Sequence, residues 1–192
     1  MRRILELAGT LSGRRVLDVG CSNGKLGALI RDLGNYVAGI EISNTAVAQA
    51  RTVLDALYEF DIEHPWPSET KGFDLIILSE ILEHVFDPVA VLRQARAALA
   101  DTGAIIITTP NFMTWTNRLR FIVGMFAYQE EGMFDFGHIR WFTYDYLKTV
   151  LHRAGFIIIE ERHIVFPGKL TFLLKYWPSV FAWQFIVKAK IV

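Results

Sequence analysis

Val16-Leu17-Asp18-Val19-Gly20-Cys21-Ser22-Asn23-Gly24 is a β-rich run that ends in an acid and turns through glycines toward a helix. The helix pattern follows at once: from Lys25 to Leu33, the apolar Leu26, Leu29, Ile30 and Leu33 recur at helical spacing, and Gly34 stands where a helix stops. Gly20 and Gly24 let the backbone approach a ligand closely, and the start of the helix offers free N–H groups to an anionic end. Tyr36 to Ile42 is again strand-like, with Glu41 near its end, 23 residues after Asp18. A carboxylate there can accept both hydroxyls of a ribose. A bare glycine turn, with an acid that only caps the next helix, would not need strand, turn, helix, strand and terminal acid all in register.

The same alternation continues outward. Ser43 can cap a helix that carries Ala46, Val47 and Ala50 on one face, Leu57 to Phe60 reads as a strand, and Phe73 to Leu78 is a strongly apolar one. Asp87-Pro88 supplies a capping carboxylate and a first-turn proline, and Val91, Leu92, Ala95 and Leu99 mark the buried face of the helix that follows. Ala104 to Thr109 is the next strand, stopped by Pro110. Uninterrupted apolar strands between amphipathic helices predict a parallel sheet covered on both faces. Residues 111 to 142 break the rhythm, being rich in Phe, Trp and Tyr with no clean period. A helix resumes at Thr143, with Leu147, Val150, Leu151 and Ala154 inward and Gly155 as its stop. Phe156 to Glu160 and Phe181 to Lys190 are predicted as a final antiparallel edge pair, with turn signals at Pro167-Gly168 and Pro178-Ser179 between them. The expected fold is α/β: a Rossmann-like, doubly wound, mostly parallel sheet of seven strands in a single domain over 1–192.

Composition narrows the classes. A chain of 192 residues with 52% hydrophobic content can bury a core without disulfide or metal, and its one cysteine, Cys21, fits a reducing compartment. Lys plus Arg equals Asp plus Glu at 20 each, so no global charge draws the chain to nucleic acid. The amino terminus begins like a secretion signal, but Glu6 interrupts the apolar run, and no apolar stretch approaches the roughly 20 residues that span a bilayer. A soluble, cytoplasmic protein is expected, with no metal site.

The glycine turn resembles the first motif of class I S-adenosylmethionine-dependent methyltransferases, acid-x-Gly-x-Gly-x-Gly. Asp18, Gly20 and Gly24 fit it, and Ser22 stands for the middle glycine. A nicotinamide fingerprint would require Gly-x-Gly-x-x-Gly, which this turn lacks. The resemblance implies that Asp18, Gly20, Cys21, Ser22 and Gly24 hold the methionine half of S-adenosylmethionine, and Glu41 with Ile42 its ribose. Phe60-Asp61-Ile62 resembles the family's adenine-reading segment, where an acceptor-only carboxylate suits the exocyclic amine. Leu78-Ser79-Glu80-Ile81-Leu82-Glu83-His84-Val85 looks like the segment that passes under the sulfonium, placing Ser79 and His84 at the cofactor, with His84 ordering the loop rather than catalysing. Thr109-Pro110-Asn111-Phe112, Trp115, Asn117-Arg118 and Gly137 to Thr143 resemble a narrower branch of ubiquinone-biosynthesis-type and MetW-like proteins.

Methyl transfer to a small-molecule or lipid-linked acceptor, at oxygen, is therefore expected. His138 is the candidate general base, because it follows Gly137 near the carboxyl edge of the sheet and its unperturbed pKa of about 6.5 suits the task. The plainer role for His138 is packing among the aromatics and bonding the backbone. Residues 111 to 142 read as a lid whose Phe112, Trp115, Phe121, Phe126, Tyr128, Phe134, Phe136, Trp141 and Phe142 form an apolar acceptor pocket or a homodimer contact. Arg162, Lys169, Lys175, Lys188 and Lys190 alternate with Phe172, Tyr176, Trp177, Phe181 and Trp183. Such a stretch can touch an anionic membrane, although lysines protecting an edge-strand pair explain it better. The alternative function is a non-catalytic S-adenosylmethionine-binding partner subunit.

Overall fold

Strands that are apolar on both faces need cover on both sides, and the computed structural model, which describes residues 1–9, 12–130, 132–165 and 177–192, supplies it. Its strands are β1 (Arg15–Val19), β2 (Tyr36–Glu41), β3 (Ala56–Glu59), β4 (Phe73–Ser79), β5 (Leu99–Pro110), β6 (Phe156–Glu161), β7 (Ile164–Val165) and β8 (Ala182–Ile191). The helices are α1 (Arg2–Ala8), α2 (Lys25–Arg31), α3 (Asn44–Ala50), α4 (Pro88–Ala98), α5 (Trp115–Ile122), α6 (Tyr144–Arg153) and α7 (Pro178–Phe181). Side-chain alternation sorts the core into two layers. Leu17, Val19, Ile76, Leu78, Ile105 and Ile107 pack with the buried faces of α4 and α6 on one side. Val16, Leu75, Ile77 and Ile106 pack with Ile4, Leu7, Ile30 and Ala50 of α1 to α3 on the other.

The sheet runs β3-β2-β1-β4-β5-β8-β6, with the two-residue β7 pairing with β8. The contacts among β1 to β5 are parallel, while β8 is antiparallel to both β5 and β6. The expected antiparallel pair is present, and the short β7 makes eight strands where seven were expected. One expectation is corrected. β8 lies inside the sheet, so Lys188 and Lys190 guard no edge, and Lys188 Nζ donates to the Leu7 carbonyl at 2.8 Å. The edge belongs to β6, whose Ile157 and Ile159 face solvent.

The first residues form α1, with Ile4, Leu7 and Ala8 buried on one face. The carboxylate of Asp87 caps α4 by accepting from Val89 and Ala90 N–H, both at 3.0 Å, as its sequence implied. Within the irregular stretch 111–142, α5 is a regular helix capped by Thr114. No helix among the described residues is long and apolar enough to cross a membrane. The turn at Pro167-Gly168, and Lys169, Phe172, Lys175 and Tyr176, lie outside the described residues.

Candidate functional site

Chain order reverses across β1, which pairs with β2 on one side and β4 on the other, and such a switch point opens a crevice at the carboxyl ends of the strands. A cavity of about 250 Å³ lies there. It brings together five of the expected residues, Asp18, Gly20, Cys21, Ser22 and Ser79. Met1 and Ile4 of α1 also line it. Sequence reasoning missed them, although the spacing of Ile4, Leu7 and Ala8 was the available signal. Gly20 has a φ of 68°, and a Cβ there would run into the Ile81 side chain. Gly24 has a φ of 76°, and its Cβ would stand 2.7 Å from Val53 Cγ2. Both glycines are thus required twice, by backbone conformation and by space.

The amides of this turn are engaged within the protein. Gly20 and Cys21 N–H both donate to the Ile40 carbonyl, at 2.8 and 3.0 Å, and Gly24 N–H donates to the Cys21 carbonyl at 2.9 Å. Ser22 N–H donates to Glu41 Oε2 at 2.9 Å, and the other Glu41 oxygen accepts from Ile42 and Ser43 N–H, both at 2.8 Å. Glu41 therefore ties β2 to the glycine turn. Asp18 is buried, and its Oδ2 meets no partner among the described residues. Burial pushes its carboxyl up to about 7, against a lowering contribution from the Gly27 N–H, and the nearby Glu41 charge raises it further. Burial and the same two acids push the Cys21 thiol up to about 12, which leaves it inert as a nucleophile. The cavity wall is mixed in polarity, carrying the Asp18 carboxyl, the Ser22 and Ser79 hydroxyls and the Lys25 side chain.

The remaining expected cofactor residues continue along the same edge without lining this cavity. Ile42 follows β2 and is exposed, and Asp61 lies just beyond β3. Asp61 Oδ1 accepts from Glu63 N–H at 2.9 Å, and the Ile62 carbonyl accepts from Trp66 Nε1–H and Gln94 Nε2–H. His84 turns the other way. In the single turn Leu82–His84 its Nδ1 bonds the Gly137 carbonyl at 2.9 Å, and its ring lies 4.7 Å from that of His138.

A second cavity of about 270 Å³ opens on that side, walled by Glu80, Pro110, Met133, Asp135, His138 and Trp183. His138 Nδ1 lies 2.9 Å from the Met133 carbonyl, an acceptor, so Nδ1–H donates there and Nε2 is the ring nitrogen left for other partners. Glu80 follows β4 with a φ of 56°, a conformation uncommon outside glycine, and its Oε1 accepts from Thr108 Oγ1 and Gln184 Nε2. Glu83 is fully buried, with the Thr109 hydroxyl and the Glu80 carboxyl as its polar neighbours. Burial, with the Glu80 charge beside it, pushes Glu83 up to about 9. Sequence reasoning quoted Glu80 and Glu83 without giving them a role, and their three-residue spacing at the end of an apolar strand was the missed signal.

The lid aromatics do not wall this cavity. They pack on one another: Phe112 stacks on Trp141 at 4.7 Å, and Phe126 meets Phe121, Phe134 and Trp141. The carbonyl of Glu83 accepts from Ile139 and Arg140 N–H, and the Arg140 guanidinium donates to the Phe86 carbonyl, which fastens the lid to the end of β4.

Comparison with known proteins agrees with this geometry. Residues 1–161 match the sequence profile of a family described as a methyltransferase domain. A ubiquinone biosynthesis O-methyltransferase of Rhodopseudomonas palustris is 31% identical over 165 residues, covering 81% of this chain and 63% of that protein. Another with the same name, from Bordetella avium, is 34% identical over 114 residues, covering 56% of this chain and 47% of its own length. The chain thus spans about half to two thirds of the curated relatives it matches. A crystal structure of an S-adenosylmethionine-dependent methyltransferase from Mesorhizobium loti superposes with a TM-score of 0.71 at 18% identity, covering 98% of this chain and 95% of that one.

Proposed function

Because the chain belongs to the methyltransferase-domain family, we propose that it transfers a methyl group from S-adenosylmethionine to an oxygen of a small-molecule or lipid-linked acceptor. The observation that carries this reading is the pairing of two cavities on one strand end. One has the buried Asp18 carboxyl and the Lys25 side chain at its wall, and the other presents His138. Ser79 and Glu80, adjacent in sequence, line one each. The relatives named O-methyltransferases favour oxygen as the methylated atom.

When bound, the cofactor supplies an electrophilic methyl on a sulfonium, so the chain's own task is alignment and proton handling. Asp18 and the carbonyls of the glycine turn attract the amine of the methionine half. Glu41, held by three backbone N–H groups, keeps lone pairs for ribose hydroxyls. Asp61 and Ile62 read the adenine from the end of β3. His138 Nε2 accepts the hydroxyl proton of the acceptor, while the Met133 carbonyl fixes its tautomer.

Calorimetric titration with S-adenosylmethionine, S-adenosylhomocysteine and NADH tests the cofactor. Micromolar binding of the first two and none of the third is expected; the reverse pattern, or silence from all three, refutes the reading. Exchanging His138 for Ala is expected to lower turnover by about 100-fold or more with cofactor affinity unchanged. Unchanged turnover would remove His138 from proton transfer.

A further inference from the structure

We propose that the outer face of α5 and the aromatic turn after it bind a second copy of this chain about a two-fold axis. Between 115 and 136, eight large apolar side chains face solvent, from 44% exposed at Trp115 to 79% at Ile122. On α5, Trp115, Leu119 and Ile122 recur at helical spacing, and Val123 extends the row. Beyond the helix, Phe126 meets Tyr128, and Tyr128 stacks on the exposed Phe136 at 5.6 Å. Phe121, 6.2 Å from Phe126, joins the two halves into one patch.

The helix is anchored with this apolar side outward. Asn117, on the opposite side of α5, is buried, and its Nδ2 donates to the Phe112 carbonyl at 2.9 Å. Its backbone N–H donates to the capping Thr114 Oγ1 at 3.3 Å. Rolling α5 to bury Leu119 and Ile122 would break the side-chain bond and carry a buried amide into water, so the polar anchor keeps the apolar row exposed. Large apolar side chains carry on the order of 150–250 Å² each. Eight of them, each about half exposed or more, offer close to the roughly 800 Å² per partner that a standard interface buries. A patch of that size on a soluble chain marks a contact surface.

Charge decides the occupant. Glu130, Glu131 and Asp135 outnumber Arg118 and Arg120 in this stretch, so an anionic lipid surface gains no net attraction from it. The same mixture suits a twin. Arg120 stands on α5 and Glu130 beyond Tyr128; both are exposed, and neither enters an ion pair among the described residues. Under a two-fold axis, Arg120 of each copy reaches the partner's Glu130, so one charge contact is made twice at the rim of an apolar centre. The segment also carries Met133 and Asp135 into the wall of the second cavity, and the contact between copies braces that wall from outside.

The test is sedimentation velocity on the full chain over about 1–100 μM. A dimer is expected, with Ile122→Glu monomeric at the same concentrations and its far-UV spectrum and melting temperature unchanged. Arg120→Glu should weaken the dimer about 10-fold, and adding Glu130→Arg should restore it, because the exchanged charges again oppose each other across the axis. If Ile122→Glu fails to fold, the charge exchange decides. A wild-type monomer at every concentration, or a dimer that folded Ile122→Glu leaves intact, overturns the proposal. So does a double variant no tighter than Arg120→Glu alone. Flotation of a monomeric wild type with phosphatidylglycerol vesicles would overturn it too, by giving the patch to a membrane.

Discussion

Asp18 combines two demands that conflict in water-free surroundings. It closes β1 against the first turn of α2, and it keeps one oxygen unpartnered beside the cavity at the switch point. With its carboxyl raised from 3.8 to about 7, the folded chain holds a proton that the unfolded chain releases. The stability this contributes is complete below the unfolded pKa and is lost as pH rises through about 7. Asp18→Asn should therefore remove a fall in stability on the order of a few kcal/mol between pH 4 and 8 in the ligand-free protein, measured by urea unfolding across that range. An identical pH profile in the variant would show that the acid is solvated. The sequence made Asp18, Gly20 and Gly24 legible because only a tight turn needs those residues in that register. It could not show that the turn's amides are already engaged by Ile40 and Glu41, because that depends on how β2 lies beside it. The convergence of Glu83, His84 and His138 was hidden for a similar reason: their contact is made by the lid, not by spacing along the chain.

At the scale of elements, α4 shows local signals and tertiary packing in agreement. Asp87 accepts from Val89 and Ala90 N–H, and Glu63 Oε1 in turn accepts from Phe86 N–H at 2.7 Å and Asp87 N–H at 3.1 Å. The helix start is thereby joined to the loop after β3. Asp87→Ala is expected to cost about 1 kcal/mol, read as a lower denaturation midpoint with an unchanged slope. A loss below about 0.3 kcal/mol would mean that Glu63 alone holds the entry. Such elements were legible because cap, proline and apolar spacing all reported the same helix. α1 was not, because a short run with Arg2, Arg3 and Glu6 among its apolar residues reads as polar until β8 and β5 supply the surface for Ile4 and Leu7. α5 was missed because its exposed Leu119 and Ile122 blur the helical period that its buried Asn117 does not mark.

Across the whole molecule, the cavity proposed for the cofactor is assembled from α1, the turn after β1 and the end of β4, so a ligand there bridges elements far apart in sequence. S-adenosylhomocysteine at 100 times its dissociation constant should stabilise the folded state by about 2.7 kcal/mol. For a domain of this size that raises the melting temperature by roughly 5–10 °C, while NADH leaves it unmoved. A melting curve unaffected by either ligand would contradict the cofactor assignment. The overall sheet was legible from its five parallel strands, but the interior place of β8 was not, since antiparallel pairing says nothing about which neighbour lies outside. That place has a consequence for how the chain comes into being. β8 follows β5 and β6 in the chain, yet both pair with it. Until Ala182–Ile191 emerges, the nascent sheet carries two unsatisfied hydrogen-bonding rims, one of them the apolar Ile105–Ile107 run. Translation halted before Ala182 should leave a product that chaperones retain and proteases clear, and emergence of Ala182–Ile191 should release it in one cooperative step.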